Sequence, residues 1–223
     1  MPVPDRKARA DALIEATMRL AGAGVPLMMR VAPPGGAFVV WDHYPPEDCV
    51  DPVSGCRWFY HAHPEGERDG NEHGHFHLFF DRANFRSKRS TPLAAPPGGR
   101  SSGADVVHLI AIAIDLNGLP VRLFTVNRWV TDEWLHPAPA LLSHLPRFDL
   151  GRAGGDTLVN TWLSAMVAFY RPQIETALQL RDARISSWAK SPGRFEDRNE
   201  EVLSLIPIDI NEAVAVSEAT EAR

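Results

Sequence analysis

Two short segments in the middle of the chain decide the fold: residues 57–63 read RWFYHAH and residues 73–80 read HGHFHLFF. Both are rich in aromatic side chains, which favour β-strands. Residues 64–72, between them, contain the glycine, aspartate and asparagine residues that are typical of turns. The two segments therefore predict one antiparallel β-hairpin.

Three further segments have the same character and extend the sheet in both directions. Residues 38–41, 106–115 and 121–126 are short runs of β-branched and aromatic residues. The last two flank Asn117-Gly118, a dipeptide that favours a type I′ hairpin turn because both central residues need a positive φ. The pattern predicts a mostly antiparallel five-stranded sheet in meander order.

Helical periodicity is confined to the two ends of the chain. Residues 5–21 repeat apolar side chains at helical spacing after Asp5. Near the other end, Asp156 is a suitable N-cap for one helix, and Pro172 suits the first turn of the next. An antiparallel sheet between helical ends predicts an α+β fold, with the N-terminal helix and the C-terminal helices packed on one face.

The sequence predicts one α+β domain over residues 1–204, with an insertion at residues 84–103. The insertion combines prolines, glycines and serines with four basic residues, Arg86, Lys88, Arg89 and Arg100. A loop of this length is either functional, as a lid or an anion-binding loop, or mobile, and its composition favours mobility. Residues 205–223 are predicted to form an acidic, frayed tail.

Composition excludes several functional classes. The chain has 223 residues and a formal net charge of -5, which argues against nucleic acid as a partner. It contains no stretch near the roughly 18 apolar residues that span a bilayer, and its first residues do not resemble a signal peptide. We therefore expect a cytoplasmic protein, with no membrane partner and with a small molecule as its possible ligand. Cys49 and Cys56 should be reduced there.

The chemistry of the chain is concentrated in its histidines. Six of the nine lie between residues 43 and 77. Because side chains alternate along a strand, His61 and His63 should share one face, and so should His73, His75 and His77. In a symmetric hairpin register His61 lies opposite His75, and their Cβ atoms are about 4.5–5.5 Å apart. Such a cluster points to one bound divalent transition metal, with Zn or Fe the leading candidates.

Two nearby carboxylates suggest what such a centre would do. Glu72 is the candidate general base or further ligand, and Glu65 is a second candidate, although either also fits a charged loop residue. Three histidines with water would suit zinc-dependent hydrolysis. Two histidines with one carboxylate would suit non-haem iron. A metal-dependent enzyme is therefore one interpretation of the chain.

Two other interpretations remain open at this stage: a non-enzymatic module that binds a metal or small ligand, and a structural or interaction domain whose histidines form a polar sheet face. His108 and His136 are expected to be ordinary partners of nearby polar groups. Cys56 has the opposite strand parity to His61 and His63, so the two cysteines are expected to lie outside the histidine site.

Three motifs together resemble an uncharacterised bacterial family classed as a domain of unknown function. They are Y-H-A-H at residues 60–63, E-H-G-H-F-H at residues 72–77 and N-R-W-V-T at residues 127–131. The resemblance extends over most of the chain, from the first strand to the helix near Pro172. It implies no activity, cofactor or catalytic residue, and supports only the importance of the histidine region.

Overall fold

The computed structural model describes residues 5–32, 35–36, 38–64, 71–86, 90–99, 105–188 and 191–221. Its centre is an antiparallel meander of six strands, in which each strand pairs with the next along the chain. The strands are β1 (Tyr44–Val50), β2 (Arg57–Ala62), β3 (Glu72–Asp81), β4 (Val106–Asp115), β5 (Pro120–Val126) and β6 (Val202–Pro207). The predicted α+β class and meander order are confirmed.

The sheet differs from the prediction at its two edges. The expected strand at residues 38–41 is wrong, because the first strand is β1, six residues further on. β1 contains Pro45 and Pro46, which weaken a strand pattern but are tolerated at a sheet edge, where no neighbouring strand needs their missing N–H. The sixth strand, β6, is a short, mostly apolar run that follows a polar stretch, and it pairs with β5 on the opposite edge.

The hairpin between β4 and β5 forms at the predicted place with a different turn. Gly118 has φ 82°, but Asn117 is not among the residues of positive φ, so the turn is not of type I′. The Gly118 amide donates to the Asp115 carbonyl at 3.0 Å, and the Asp115 carboxylate accepts the amides of Asn117 and Leu119 at 2.8 Å each. These contacts define a longer turn closed by a left-handed glycine.

Helices cover one face of the sheet. They are α1 (Arg6–Gly22), α2 (Leu27–Val31), α4 (Ala138–His144), α5 (Thr157–Phe169), α6 (Arg171–Ser187) and α7 (Asn211–Glu221), whereas α3 (Arg128–Thr131) lies on the opposite face, beside Phe59 and Phe79. The predicted caps are present: the Asp5 carboxylate accepts the Ala8 amide, and Asp156 accepts the amides of Leu158 and Val159. Pro172 occupies the first turn of α6, where its missing N–H costs nothing.

The apolar core lies between this face and the helices. Trp58 and Tyr60 of β2, and Phe76 and Leu78 of β3, point into it and are fully buried. The Trp58 indole N–H donates to the Asn160 side-chain oxygen of α5 at 2.8 Å, so its polar edge is satisfied. Each such side chain contributes about 1.5–3 kcal/mol by burial, which makes this face the main source of stability.

The insertion at residues 84–103 is only partly described. Within residues 90–99 the Leu93 amide donates to the Leu135 carbonyl at 2.7 Å, and Ala94 forms an isolated bridge with Leu135. Lys88, Arg89 and Arg100, three of the four predicted basic residues, lie outside the described residues. The mobility of this insertion remains a prediction.

The predicted boundary at residue 204 falls inside β6. The residues that follow include α7, which packs on α1: the Ser217 hydroxyl donates to Asp11 at 2.6 Å, and Ala213 is buried. Fraying of residues 205–223 in solution remains a prediction. In the part of the chain that the structure describes, no helix has the length and apolar character needed to cross a membrane, and the cytoplasmic location remains a prediction.

Candidate metal centre

The face of the sheet opposite the helices carries the histidine cluster. β2 and β3 pair in the predicted register, with His61 directly opposite His75. The two ring centroids lie 4.4 Å apart. His61, His63, His75 and His77 are all buried, and the first, third and fourth each offer a nitrogen atom within 4.8 Å of the others.

Two close nitrogen pairs define the cluster. The Nε2 atoms of His61 and His63 are 3.1 Å apart, and those of His75 and His77 are 3.0 Å apart. Two ligands that bind one ion at 2.0–2.1 Å, with an angle between 90° and 109°, are separated by about 2.9–3.4 Å. The observed spacings match that range. The same two distances also match an N–H···N hydrogen bond between two neutral imidazole rings. In that interpretation the histidines hydrogen-bond to each other and bind no metal.

Glu72 lies at the edge of this cluster and is engaged on both oxygens. Its Oε1 is 2.8 Å from His75 Nδ1, and its Oε2 is 2.9 Å from an Arg122 guanidinium nitrogen. Its side chain is only 2% exposed. A proton on Nδ1 of His75 donates to this carboxylate, which leaves the Nε2 lone pair directed into the cluster. Glu72 therefore orients His75.

The prediction that His73 shares a face with His75 and His77 is wrong. His73 is an extra residue in β3, because Glu72 pairs with Asp115 and Gly74 already pairs with Ile114. This bulge turns His73 to the helix-covered side, where its Nδ1 lies 2.6 Å from the Tyr60 hydroxyl. Burial there lowers the pKa of His73. The same bulge brings Glu72 onto the histidine face.

The local geometry at this bulge depends on Gly74. A Cβ atom at this position would lie 2.2 Å from the His61 carbonyl oxygen and 2.6 Å from the Tyr60 hydroxyl. Only glycine allows β2 and β3 to approach so closely here. The glycine of the H-G-H sequence therefore keeps His61 and His75 opposite each other.

His108 belongs to the cluster, contrary to its prediction as an ordinary polar partner. Its Nε2 lies 3.0 Å from His77 Nδ1, and burial, with a smaller effect of Arg181, lowers its pKa to about 3. The sequence pattern does not predict this position, because regular strand alternation would place His108 on the core face together with Ile110 and Ile112. A bulge at Leu109 reverses that parity, because Leu78 pairs with Ile110 while Phe79 pairs with His108.

A cavity of about 640 Å³ opens above His61 and His63. Its wall includes the aromatic side chains of Trp41, Phe59 and Phe79 together with His43. The Trp41 ring meets His63 edge-on, with centroids 4.6 Å apart. One end of the histidine cluster thus faces an open, largely aromatic space, which is the usual setting of a small-molecule site.

The other candidate residues lie apart from the cluster. Cys49 and Cys56 are free and buried in the core on the helix-covered side, as expected, and burial raises the pKa of Cys49 to about 11. His136 pairs through Nδ1 with the Ser90 hydroxyl at 2.7 Å, which confirms its prediction as a polar partner. Glu65 lies outside the described residues.

Another buried acid follows α3. Glu133 is fully buried, and neither of its oxygens has a hydrogen-bond partner among the described residues. Burial raises its pKa well above the ordinary value, although Arg181 and Arg128 act in the opposite direction. Its neighbour Trp134 donates its amide to the Val106 carbonyl at 3.1 Å, so Glu133 lies beside the start of β4.

The comparisons with known proteins identify one family. A family model described as a domain of unknown function (DUF6969) matches residues 7–208, which is most of the chain. This match supports the resemblance to an uncharacterised domain family. No curated protein and no solved structure matches the chain.

Proposed function

This chain belongs to the DUF6969 family, and we propose that it is a metal-binding protein whose centre is held by His61, His75 and His77. One observation carries the proposal: three buried imidazoles offer nitrogen atoms within 4.8 Å of one another beside an open cavity. His63 is a fourth candidate ligand, since its Nε2 lies 3.1 Å from that of His61, and its binding would close the coordination shell.

Physical chemistry favours a metal over an empty cluster. Buried imidazoles lose hydration, and protonated ones would repel each other, so gathering four of them on one sheet face is unfavourable unless something binds them. A hydrogen-bonded ladder of neutral rings offsets part of this cost. Glu72 fits either interpretation, because it accepts the Nδ1 proton of His75 in both, and a carboxylate in this position, here backed by Arg122, commonly supports a metal-binding histidine.

The ligand set favours zinc-type chemistry over the iron-type alternative. A two-histidine-one-carboxylate set, formed by His63, Glu72 and His75, also has its ligand atoms within 4.8 Å. Using Glu72 as a ligand would require breaking its contact with His75 Nδ1 at 2.8 Å. We therefore assign Glu72 as a positioning residue rather than a catalytic base, and the three-histidine set as the centre, with Zn ahead of Fe.

A metal-dependent hydrolase is the activity that this site supports best. Three protein ligands leave a position for water, and a bound Zn²⁺ lowers the pKa of such a water and polarises a substrate oxygen. The cavity that His61 and His63 line provides room for a substrate beside the centre. A non-enzymatic metal carrier or sensor is the second candidate, and a closed coordination shell would favour it.

The decisive experiment is elemental analysis of protein purified without chelators or a polyhistidine tag. We expect about one transition-metal ion per chain. Replacing His75 by Ala should remove it, whereas His144→Ala should not, because His144 lies on α4 beside Phe85 on the helix-covered side. If wild-type protein neither contains nor takes up metal at neutral pH, the metal centre is rejected. The histidines would then form a hydrogen-bonded polar face of the sheet.

Acidification should release the metal. A metal binds neutral imidazole, whose unperturbed pKa is about 6.5, so protons compete with the ion as the pH falls through and below that value. Dialysis at stepwise lower pH, followed by elemental analysis of the retained protein, measures this release. Metal retention that does not change between pH 7.5 and pH 4.5 would be incompatible with imidazole ligands.

Substitution with Co²⁺ separates the enzyme from the carrier. Azide added to Co²⁺-loaded protein should change the visible absorption spectrum if one coordination position is open, because a small anion then enters the coordination shell. A spectrum unaffected by azide would indicate a closed shell and favour the carrier.

A further inference from the structure

We propose that His108 positions His77 for metal binding through a hydrogen bond whose direction reverses: His108 donates to His77 in the metal-free protein and accepts from it in the metal-bound protein. This inference rests on the proposed function, because His77 is one of the three metal ligands assigned there. It adds a positioning residue from β4, a strand that contributes no ligand.

A series of three short contacts connects Glu72 with His108. Glu72 Oε1 lies 2.8 Å from His75 Nδ1. His75 Nε2 lies 3.0 Å from His77 Nε2, and His77 Nδ1 lies 3.0 Å from His108 Nε2. Each distance is that of a hydrogen bond, so each contact contains one proton between its two atoms. All four side chains are buried, which shields the series from water.

The carboxylate fixes the direction of these hydrogen bonds in the metal-free protein. Glu72 forms an ion pair with Arg122 at 2.9 Å, and a charged carboxylate only accepts hydrogen bonds. A neutral imidazole has one N–H and one acceptor nitrogen. His75 therefore has its proton on Nδ1, and the proton between His75 and His77 belongs to His77 Nε2. His77 Nδ1 is then an acceptor, so His108 must donate to it from Nε2.

Metal binding reverses the last of these hydrogen bonds. When Nε2 of His77 gives its lone pair to the ion, the proton of that ring must be on Nδ1. His108 Nε2, 3.0 Å away, then becomes the acceptor. The two rings hold two protons in both states. The shared proton passes from His108 to His77, the proton on His77 Nε2 is lost to water, and one proton from water is gained by His108 Nδ1. His75 keeps its proton on Nδ1 throughout.

Histidine is the side chain that suits both states at position 108. A carboxylate there could not donate to His77 in the metal-free protein, and a lysine or arginine could not accept from it in the metal-bound protein. A neutral imidazole can do either. His108 is 1% exposed, and burial disfavours the charged ring, which would have no acceptor nitrogen.

Packing holds the His108 ring in place behind His77. Its centroid lies 5.1 Å from that of His77 and 5.3 Å from that of Phe79, its partner in the register of β3 and β4. The bulge at Leu109 creates this placement, because regular alternation would turn His108 into the core. The ring is thus fixed in position while its hydrogen-bonding role changes.

The direct test is ¹⁵N NMR of the full chain labelled in histidine, which distinguishes a protonated ring nitrogen from an unprotonated one. At about pH 8, where an ordinary imidazole is neutral, His77 and His108 of the metal-free protein should both have their proton on Nε2. After addition of Zn²⁺ both protons should be on Nδ1, whereas the His75 signals should show Nδ1–H in both states. This measurement needs no substitution, so it does not depend on the folding of a variant.

Substitutions at position 108 test the consequence for affinity. His108→Phe keeps a ring beside Phe79 but leaves the buried Nδ1–H of metal-bound His77 without its acceptor. The affinity for Zn²⁺, measured by competition with a chromogenic chelator, should therefore fall about 10–100-fold. His108→Gln should restore most of this affinity, because an amide can both donate and accept.

The matched control is His136→Gln. His136 is also a buried histidine, but it pairs with the Ser90 hydroxyl at 2.7 Å and lies outside the cluster. This variant should bind Zn²⁺ as the wild type does. Equal affinity in the wild type and His108→Phe, or an equal loss in His108→Phe and His108→Gln, would reject His108 as a positioning residue.

The same experiments separate failure of this inference from failure of the proposed function. Wild-type protein that takes up no Zn²⁺ would reject the metal centre and this inference together. Protein that takes up Zn²⁺ while His108 keeps its proton on Nε2 would leave the metal centre standing and overturn only the role of His108.

Discussion

The two faces of the sheet use the same strands for opposite purposes. In β2, Trp58 and Tyr60 point towards the helices, while Phe59 and His61 point away from them. The helix-covered face is a close-packed apolar core. The other face carries imidazoles in mutual contact, a buried carboxylate and an open cavity. Stability should therefore depend mainly on the first face, and ligand binding on the second.

The largest expected effect is on the helix-covered face. Phe76 is fully buried between Tyr60 and Trp58, so Phe76→Ala should lower the free energy of unfolding by about 3–5 kcal/mol. Urea denaturation of metal-free protein measures this loss. His77→Ala, on the next residue and the opposite face, is the matched variant and should cost clearly less. If His77→Ala lowered the free energy of unfolding as much as Phe76→Ala does, the helix-covered face would not be the main source of stability.

An intermediate effect is expected on the histidine face. Glu72→Gln keeps the shape of the side chain but removes the charge that orients His75, so metal affinity should fall about 10–100-fold. Competition with a chromogenic chelator measures the affinity. Glu15→Gln, at an exposed position of α1, should leave it unchanged. If Glu72→Gln kept its full metal affinity but lost the proposed hydrolase activity, Glu72 would instead be a proton-transfer residue.

The smallest effect is expected at Glu133, beside the start of β4. Glu133 has a raised pKa, so its neutral form is favoured in the fold, and the stability it contributes is present at low pH and lost as the pH rises through its folded-state value. Glu133→Gln should therefore be more stable than the wild type at pH 8 and equal to it near pH 4.

Thermal denaturation of both proteins across this pH range tests the prediction. A wild type more stable than Glu133→Gln at pH 8 would show that the carboxylate is charged in the fold and stabilised by Arg181 or Arg128.

Much of the fold follows from local pattern. Residues 57–63, 73–80, 106–115 and 121–126 are rich in the β-branched and aromatic residues that favour strands. Asp5, Asp156 and Pro172 mark helix starts by satisfying or avoiding unpaired backbone N–H groups. The pairing of His61 with His75 also follows, because the hairpin connection and strand alternation depend only on neighbours in the chain. The edge strand β1 was missed because its prolines and acidic residues obscure a strand pattern. The edge strand β6 was missed although it is a short apolar run, because it follows a polar stretch of the chain.

The composition of the site was decided by tertiary structure. Two bulges, at His73 and Leu109, reverse strand parity; one removes His73 from the histidine face and brings in Glu72, and the other brings in His108. A bulge depends on the register that a strand adopts against its partner, which no periodicity within one strand encodes. The cavity depends in the same way on Trp41, Asp48 and Glu201, which meet only when the sheet is assembled. The sequence by itself determined the sheet and its central histidine pair, while long-range packing decided which side chains surround that pair.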